Sequence, residues 1–281
     1  KSTTSMALAA EASEHMEPRP DGQPPVIVLV DMNRGQGDLR RYLRLSNDKT
    51  LFTIYDAALR NSPRAAIIRN DDITAARHKS LPPVNFGAVF APRPGQADPT
   101  MVTTDFYRAV INEARSFADL VIVDTQIIED QDTSGLIDNV VFPLVASKGG
   151  FALAVTDTSM PGVTNTRVNA PKFINYGVRP DQMMLYVNRA ESTSALEAEQ
   201  LERAVHGIAQ MMGVVPATDE MVATVESGHL PNEVPEMGEM ASKVLYRIFG
   251  TEGLNPDRYA KKARQKKSGG TGLLGFLGRK K

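Results

Sequence analysis

The sequence predicts a doubly wound α/β fold: a mostly parallel sheet flanked by helices, in one large domain. Three observations carry this. Six short runs rich in β-branched residues and leucine are spaced along the chain, unbroken rather than alternating, as strands buried on both faces of a parallel sheet are. Between several of them lie longer segments with helical spacing, so strand and helix alternate. Finally, 281 residues, 42% of them apolar and 23% charged, are enough to bury one sizeable core and are unlike the composition of a disordered chain.

The elements follow in order. Residues 2–15 (STTSMALAAEASEH) are rich in good helix formers, and Pro18 and Pro20 stop that helix. Residues 26–30 (VIVLV) form the first strand and run into Asp31. Further strands are expected at 87–91 (GAVFA), 120–124 (LVIVD), 151–156 (FALAVT), 184–188 (MLYVN) and 213–215 (GVV). Helical spacing marks 105–117, 164–176 and 194–212, and 237–249 reads as a last packing helix whose Met237 and Met240 belong to core or interface. The domain is therefore expected over 1–250. Residues 251–281 read as a flexible tail, basic through Arg258, Lys261, Lys262 and their neighbours, with a short apolar tip at Leu273, Leu274, Phe276 and Leu277.

Composition excludes several classes. No apolar run approaches the roughly 20 residues that span a bilayer. With no cysteine there is neither a disulfide framework nor a thiolate metal site, which fits a cytoplasmic protein. The four histidines, His15, His78, His206 and His229, show no metal-ligand spacing. The net charge of −1 divides unevenly between an acidic body and the basic tail. That tail reads as a solvated terminus, as a weak electrostatic contact to acidic lipid or nucleic acid, or as a short docking tip.

The residues able to carry chemistry stand at strand ends and at the first helix. In open parallel sheets ligands are met beyond the carboxyl ends of strands, and here those ends carry Asp31, Asp124 and Asn188. Lys1, Ser2, Thr3 and Thr4 (KSTT) open a helix and look like the second half of a phosphate-binding loop. There a lysine neutralises phosphate charge, the next hydroxyl ligates Mg²⁺, and helix amides hold phosphate oxygens. An ordinary helix start with a hydroxyl cap has the same letters, and an aspartate at a strand end also caps turns. The order Lys1–Ser2, Asp31 with a glycine-containing loop, then Asp124 favours the phosphate site.

That order resembles the ParA/MinD group of P-loop ATPases, over about residues 1–250, with KSTT similar to the end of that group's deviant Walker A loop. The segment VIVLVDMNRGQGDLRRYLRL is most similar to the CpaE/TadZ branch, Asp31, Gly37 and Asp38 matching its D-x-D-x-x-x-G-D loop. ADLVIVDT resembles the switch II strand, YVNR the strand-end Asn motif beside adenine, and VVPATDEMVATVESGHLP a late segment whose first loop also borders the base. The resemblance implies a P-loop NTPase fold of the SIMIBI type whose first strand and most of whose glycine loop would precede Lys1. It implies ATP and Mg²⁺ as ligands, with Lys1, Ser2, Thr3, Asn188 and Pro216 on the nucleotide and Ser2, Asp31 and Asp124 on the metal. Lys1 and Asn33 would serve catalysis. The second aspartate of the D-x-D pair falls on Asn33, whose amide hydrogen-bonds water but cannot accept its proton, so an ATPase with weak hydrolysis is expected. Thr125, Gln126 and Ile127 also depart from the Pro and Gly usual after switch II.

The function so implied is an ATP-binding, dimerising positioning factor of the kind that serves Tad/Flp pilus assembly, acting through a nucleotide-dependent homodimer in the cytoplasm, at the membrane or at a cell pole. The alternative is a ParA-type plasmid-partition ATPase that binds nonspecific DNA.

Overall fold

A computed structural model describes residues 1–33, 37–46, 51–93, 95–96, 100–125, 134–190 and 195–250. The first half contains α1 (Ser2–His15), β1 (Ile27–Asp31), α2 (Leu39–Tyr42), α3 (Ile54–Leu59), β2 (Ile67–Ile68), α4 (Asn70–Ala76), β3 (Gly87–Val89), α5 (Thr104–Arg115) and β4 (Leu120–Asp124). The second contains α6 (Phe142–Lys148), β5 (Ala152–Thr156), α7 (Met160–Asn175), β6 (Met183–Ala190), α8 (Ala195–Val205), β7 (Gln210–Pro216), α9 (Asp219–Ser227) and α10 (Pro235–Phe249). The predicted tail lies outside the described residues, as do Gln126 and Ile127.

The strands form two sheets. One has the order β2-β3-β1-β4 and the other β5-β6-β7. All pairings are parallel except that of the short β2 with β3. A single hydrophobic cluster nevertheless runs under both sheets, joining Met6 and Leu8 of α1 to Ile27, Leu29 and Ile122 on one side and Leu153, Val155 and Tyr186 on the other. Helix α1 is buried on nearly every face, and its small alanines let it approach both sheets and α10 closely. The two edges flanking the division, β4 and β5, have no further strand partner among the described residues. Leu120 to Val123 of β4 and Leu153 to Val155 of β5 are only half-buried, an unusual state for such apolar runs.

A buried polar knot holds α1 in place. Glu11 and His15 pair at 2.6 Å with almost no exposure, Ser242 of α10 donates to Glu11, and the Asn232 amide donates to Glu11 and Glu14, each at 3.3 Å. Helix spacing brings Glu11, Glu14 and His15 together, a proximity that widely separated histidines in the sequence do not advertise. Met237 and Met240 are buried against α1, as core packing requires.

One predicted element is corrected. The segment 194–212 is not one helix: α8 ends at Val205, Gly207 adopts φ +77, and residues from Gln210 onward pair with β6 as β7. The left-handed glycine ends the helix at no steric cost, and the strand is correspondingly longer than the expected 213–215. Similarly α7 begins a turn earlier than expected, at Met160, because Ser159 caps it and Pro161 fits its first turn.

Candidate functional site at the strand ends

The carboxyl ends of β1 and β4 lie side by side, with Asp31 directly opposite Asp124 in the parallel register. Both are buried, at 1% and 4% exposure. The Asp31 carboxylate accepts the backbone N–H of Asn33 at 3.0 Å and that of Leu39, the first residue of α2. Burial is the largest influence on Asp31 and pushes its carboxyl up to about 7; the two N–H donors oppose this, while Asp124 and Asp38 add repulsion. Gly37 explains itself here. A Cβ at that position would sit 3.0 Å from Asp31 Oδ2 and would collide with Ala91 Cβ, so only glycine lets the loop close over the carboxylate.

Lys1 reaches the same place from α1. Its ammonium donates to the Thr125 carbonyl at 2.9 Å, just past the end of β4. Although the side chain touches solvent, the protein packed around it lowers the ammonium below the usual lysine range, and Asp124 opposes that. Lys1 is the N-cap residue of α1 and makes no side-chain cap. Ser2 opens a 14-residue helix, and the first amides of a helix are groups that can hold anions. Ser2 and Thr3 form that first turn and are half-buried. Asn33 is half-buried two residues beyond Asp31.

The second sheet joins through Thr4, whose hydroxyl hydrogen-bonds the Tyr186 phenol in β6. Burial raises that phenol well above the usual tyrosine range. Two residues on, β6 ends in an irregularity: Asn188 pairs with Val215, Arg189 adopts φ +57, and Ala190 pairs with Pro216. A non-glycine residue in the left-handed region is uncommon and costs energy. It forms a bulge that re-aims the strand end, leaving Asn188 half-buried and Arg189 exposed. Asp124 attracts the Lys1 ammonium, and the backbone nitrogen of Lys1 lies within electrostatic reach of both Asp124 and Arg189, so the strand-end groups of both sheets converge on the start of α1. Lys1, Asp31 and Asp124 thus assemble in one place, and Asn188 and Pro216 lie on neighbouring strands across α1. The bulge at Arg189 and the Thr4–Tyr186 bond have no signature in the sequence.

No protein-family model and no curated protein matches the sequence; solved structures do. The fold is that of the MinD/ParA P-loop ATPases. A chain of the Aquifex aeolicus MinC:MinD cell division protein complex superposes with TM-score 0.62 at 16% identity, over 87% of this chain and 90% of that one. Pyrococcus horikoshii MinD complexed with Mg-ADP gives 0.58 at 14%, over 88% of each chain. A plasmid partition protein of Borrelia burgdorferi bound to AMPPNP gives 0.57 at 12%, over 88% and 93%. At these identities the likeness is one of fold, a mixed and mainly parallel sheet flanked by helices.

Proposed function

We propose that this chain is a MinD/ParA-type ATP-dependent switch that positions a larger assembly, with ATP and Mg²⁺ held where Lys1, Asp31 and Asp124 meet. The observation that carries it is the pair of buried aspartates in register on adjacent parallel strands, beside a lysine at the start of a 14-residue helix. Two carboxylates and a serine hydroxyl are an oxygen donor set suited to Mg²⁺, and Asp31, which burial holds near neutrality, ionises more readily beside a divalent charge. Bound Mg²⁺ supplies positive charge against that of the phosphates. In this reading Lys1 and the amides of Ser2 and Thr3 bind phosphate oxygens, Ser2, Asp31 and Asp124 orient the metal and its water, and Asn188 and Pro216 border the base. Asn33 hydrogen-bonds the attacking water without accepting its proton, so turnover is slow.

The divided sheet also fits this reading. A further strand between β4 and β5 would pair with two edges that have no other strand partner among the described residues and complete the burial of their half-exposed apolar side chains. The 1–250 unit would then be one continuous sheet. The finer reading, a CpaE/TadZ-like homodimer serving Tad/Flp-type pilus assembly, rests on the Asp31, Gly37 and Asp38 loop.

ATP binding and turnover by the full-length protein test the proposal. Lys1→Ala is expected to abolish binding and Asn33→Asp to raise turnover. A folded protein that binds no ATP would sink it, and salt-sensitive retention of the ATP-bound form on nonspecific DNA would move the role from pilus assembly to partition.

A further inference from the structure

A second cationic site lies one short helix away from the strand ends. Arg40, Arg41 and Arg44, in and just after α2, line a cavity of about 480 Å³ with His78 and Ser80 of the loop after α4 and Ser227 at the end of α9, the Arg40 guanidinium lying over the Phe90 ring at 5.0 Å. No carboxylate is among its lining residues. Asp38 pairs with Arg41 at 3.4 Å while both remain largely exposed, a weak contact.

The cavity is held in shape from beneath. Arg77, 3% exposed, donates to the Leu43 carbonyl at 2.9 Å, to the Pro82 carbonyl at 2.7 Å and to the Gly228 carbonyl. One buried guanidinium thus ties the end of α2, the 78–82 loop and the end of α9 together. It also occupies carbonyls whose partial negative charge would otherwise repel an anion, and it adds a cation that Glu233 attracts from beyond ion-pair distance. Ser46 strengthens the same corner, its N–H and hydroxyl both bonding the Ala76 carbonyl.

Arg44 is the most telling residue. Its backbone has φ +51, a conformation that glycine adopts freely and arginine does not. Its stem lies flush on Gly228, where an added Cβ would come within 2.5 Å of Arg44 Cγ. Among the described residues its guanidinium has no hydrogen bond or ion pair. An arginine is thus held in a strained backbone with its stem against Gly228, lining the cavity without an ion pair among the described residues.

We propose that this cavity binds a small phosphorylated ligand, separate from the nucleotide at the strand ends. Guanidinium forks are the chemistry that recognises phosphate oxygens, the Ser80 and Ser227 hydroxyls, bonded to His78 and to the Thr224 carbonyl, complete a polar lining, the volume is that of a small-molecule site, and the fixed walls reduce the ordering cost of binding. The compact concavity favours a small ligand over a nucleic-acid backbone, which would call for an extended basic track.

Calorimetric titration of the full-length protein with pyrophosphate tests this. The proposed strand-end site also takes phosphate, so the Lys1→Ala background isolates this cavity: pyrophosphate should still bind in that background, and adding Arg41→Ala and Arg44→Ala to it should lose at least about ten-fold in affinity. Arg44→Gly is the decisive variant, because glycine accepts the backbone conformation. Its melting temperature should equal or exceed that of wild type while, in the Lys1→Ala background, pyrophosphate binding weakens. No binding by wild type up to about 10 mM, loss of binding in Lys1→Ala alone, or unchanged binding in both arginine variants of that background would overturn the proposal. So would a DNA oligonucleotide that depends on these arginines while pyrophosphate does not bind.

Discussion

Asp31 should make the nucleotide-free protein less stable as the pH rises. Its carboxyl is raised from the ordinary 3.8 to about 7 by burial, so between those values the unfolded chain releases a proton that the folded chain retains. Stability then falls with pH, the loss beginning above the unfolded value and reaching completion as pH passes the folded one. At about 1.4 kcal/mol for each pH unit the whole effect is about 4 kcal/mol. Asp31→Asn removes the ionisation while its amide oxygen can still accept the N–H groups of Asn33 and Leu39. The variant should match wild type near pH 4 and exceed it at pH 8 by a large part of that sum. Urea denaturation followed by circular dichroism, for both proteins at several pH values, measures this. A stability difference that does not grow with pH, or a variant weaker than wild type at pH 8, would refute burial of an unneutralised carboxyl as the cause. Saturating Mg²⁺ with ATP should reverse the ranking, since only the carboxylate gains from the metal.

Other predictions follow from neighbouring contacts. Gly37→Ala places a methyl against Ala91 and Asp31 and should cost about 1–3 kcal/mol in chemical denaturation; a neutral result would show that the loop opens freely. Arg189→Gly relieves a positive φ and should raise stability by up to about 1 kcal/mol, the strain released being partly offset by glycine's unfolded-state entropy. Asn232→Ala leaves Glu11 and Glu14 without their shared donor and should destabilise by about 1–3 kcal/mol, read as a lowered denaturation midpoint with unchanged slope.

Much of the site was legible because strand ends are local features. The runs closing on Asp31 and Asp124 needed only hydrophobic patterning to be placed at the ligand-facing edge of a parallel sheet, and Gly37 was visible as part of a spaced loop. The helix expected over 194–212 failed for an equally local reason: its apolar spacing fits a helix throughout, and a single glycine at 207 with positive φ hands Gln210 to Met212 over to β7. The bulge at Arg189 was not legible, since arginine has no intrinsic preference for the left-handed region and only the pairing of β6 with β7 imposes it.

By itself the sequence determined the alternation of strand and helix and the polar residues that close each strand, because burial on both faces of a parallel sheet writes itself as unbroken apolar runs. The tertiary structure alone decided that Asp31 and Asp124 share one register, that Lys1 arrives beside them, and that Arg40, Arg41 and Arg44 line a cavity braced by a distant Arg77. Those depend on contacts between residues far apart in the chain, and neither periodicity nor spacing encodes such distances.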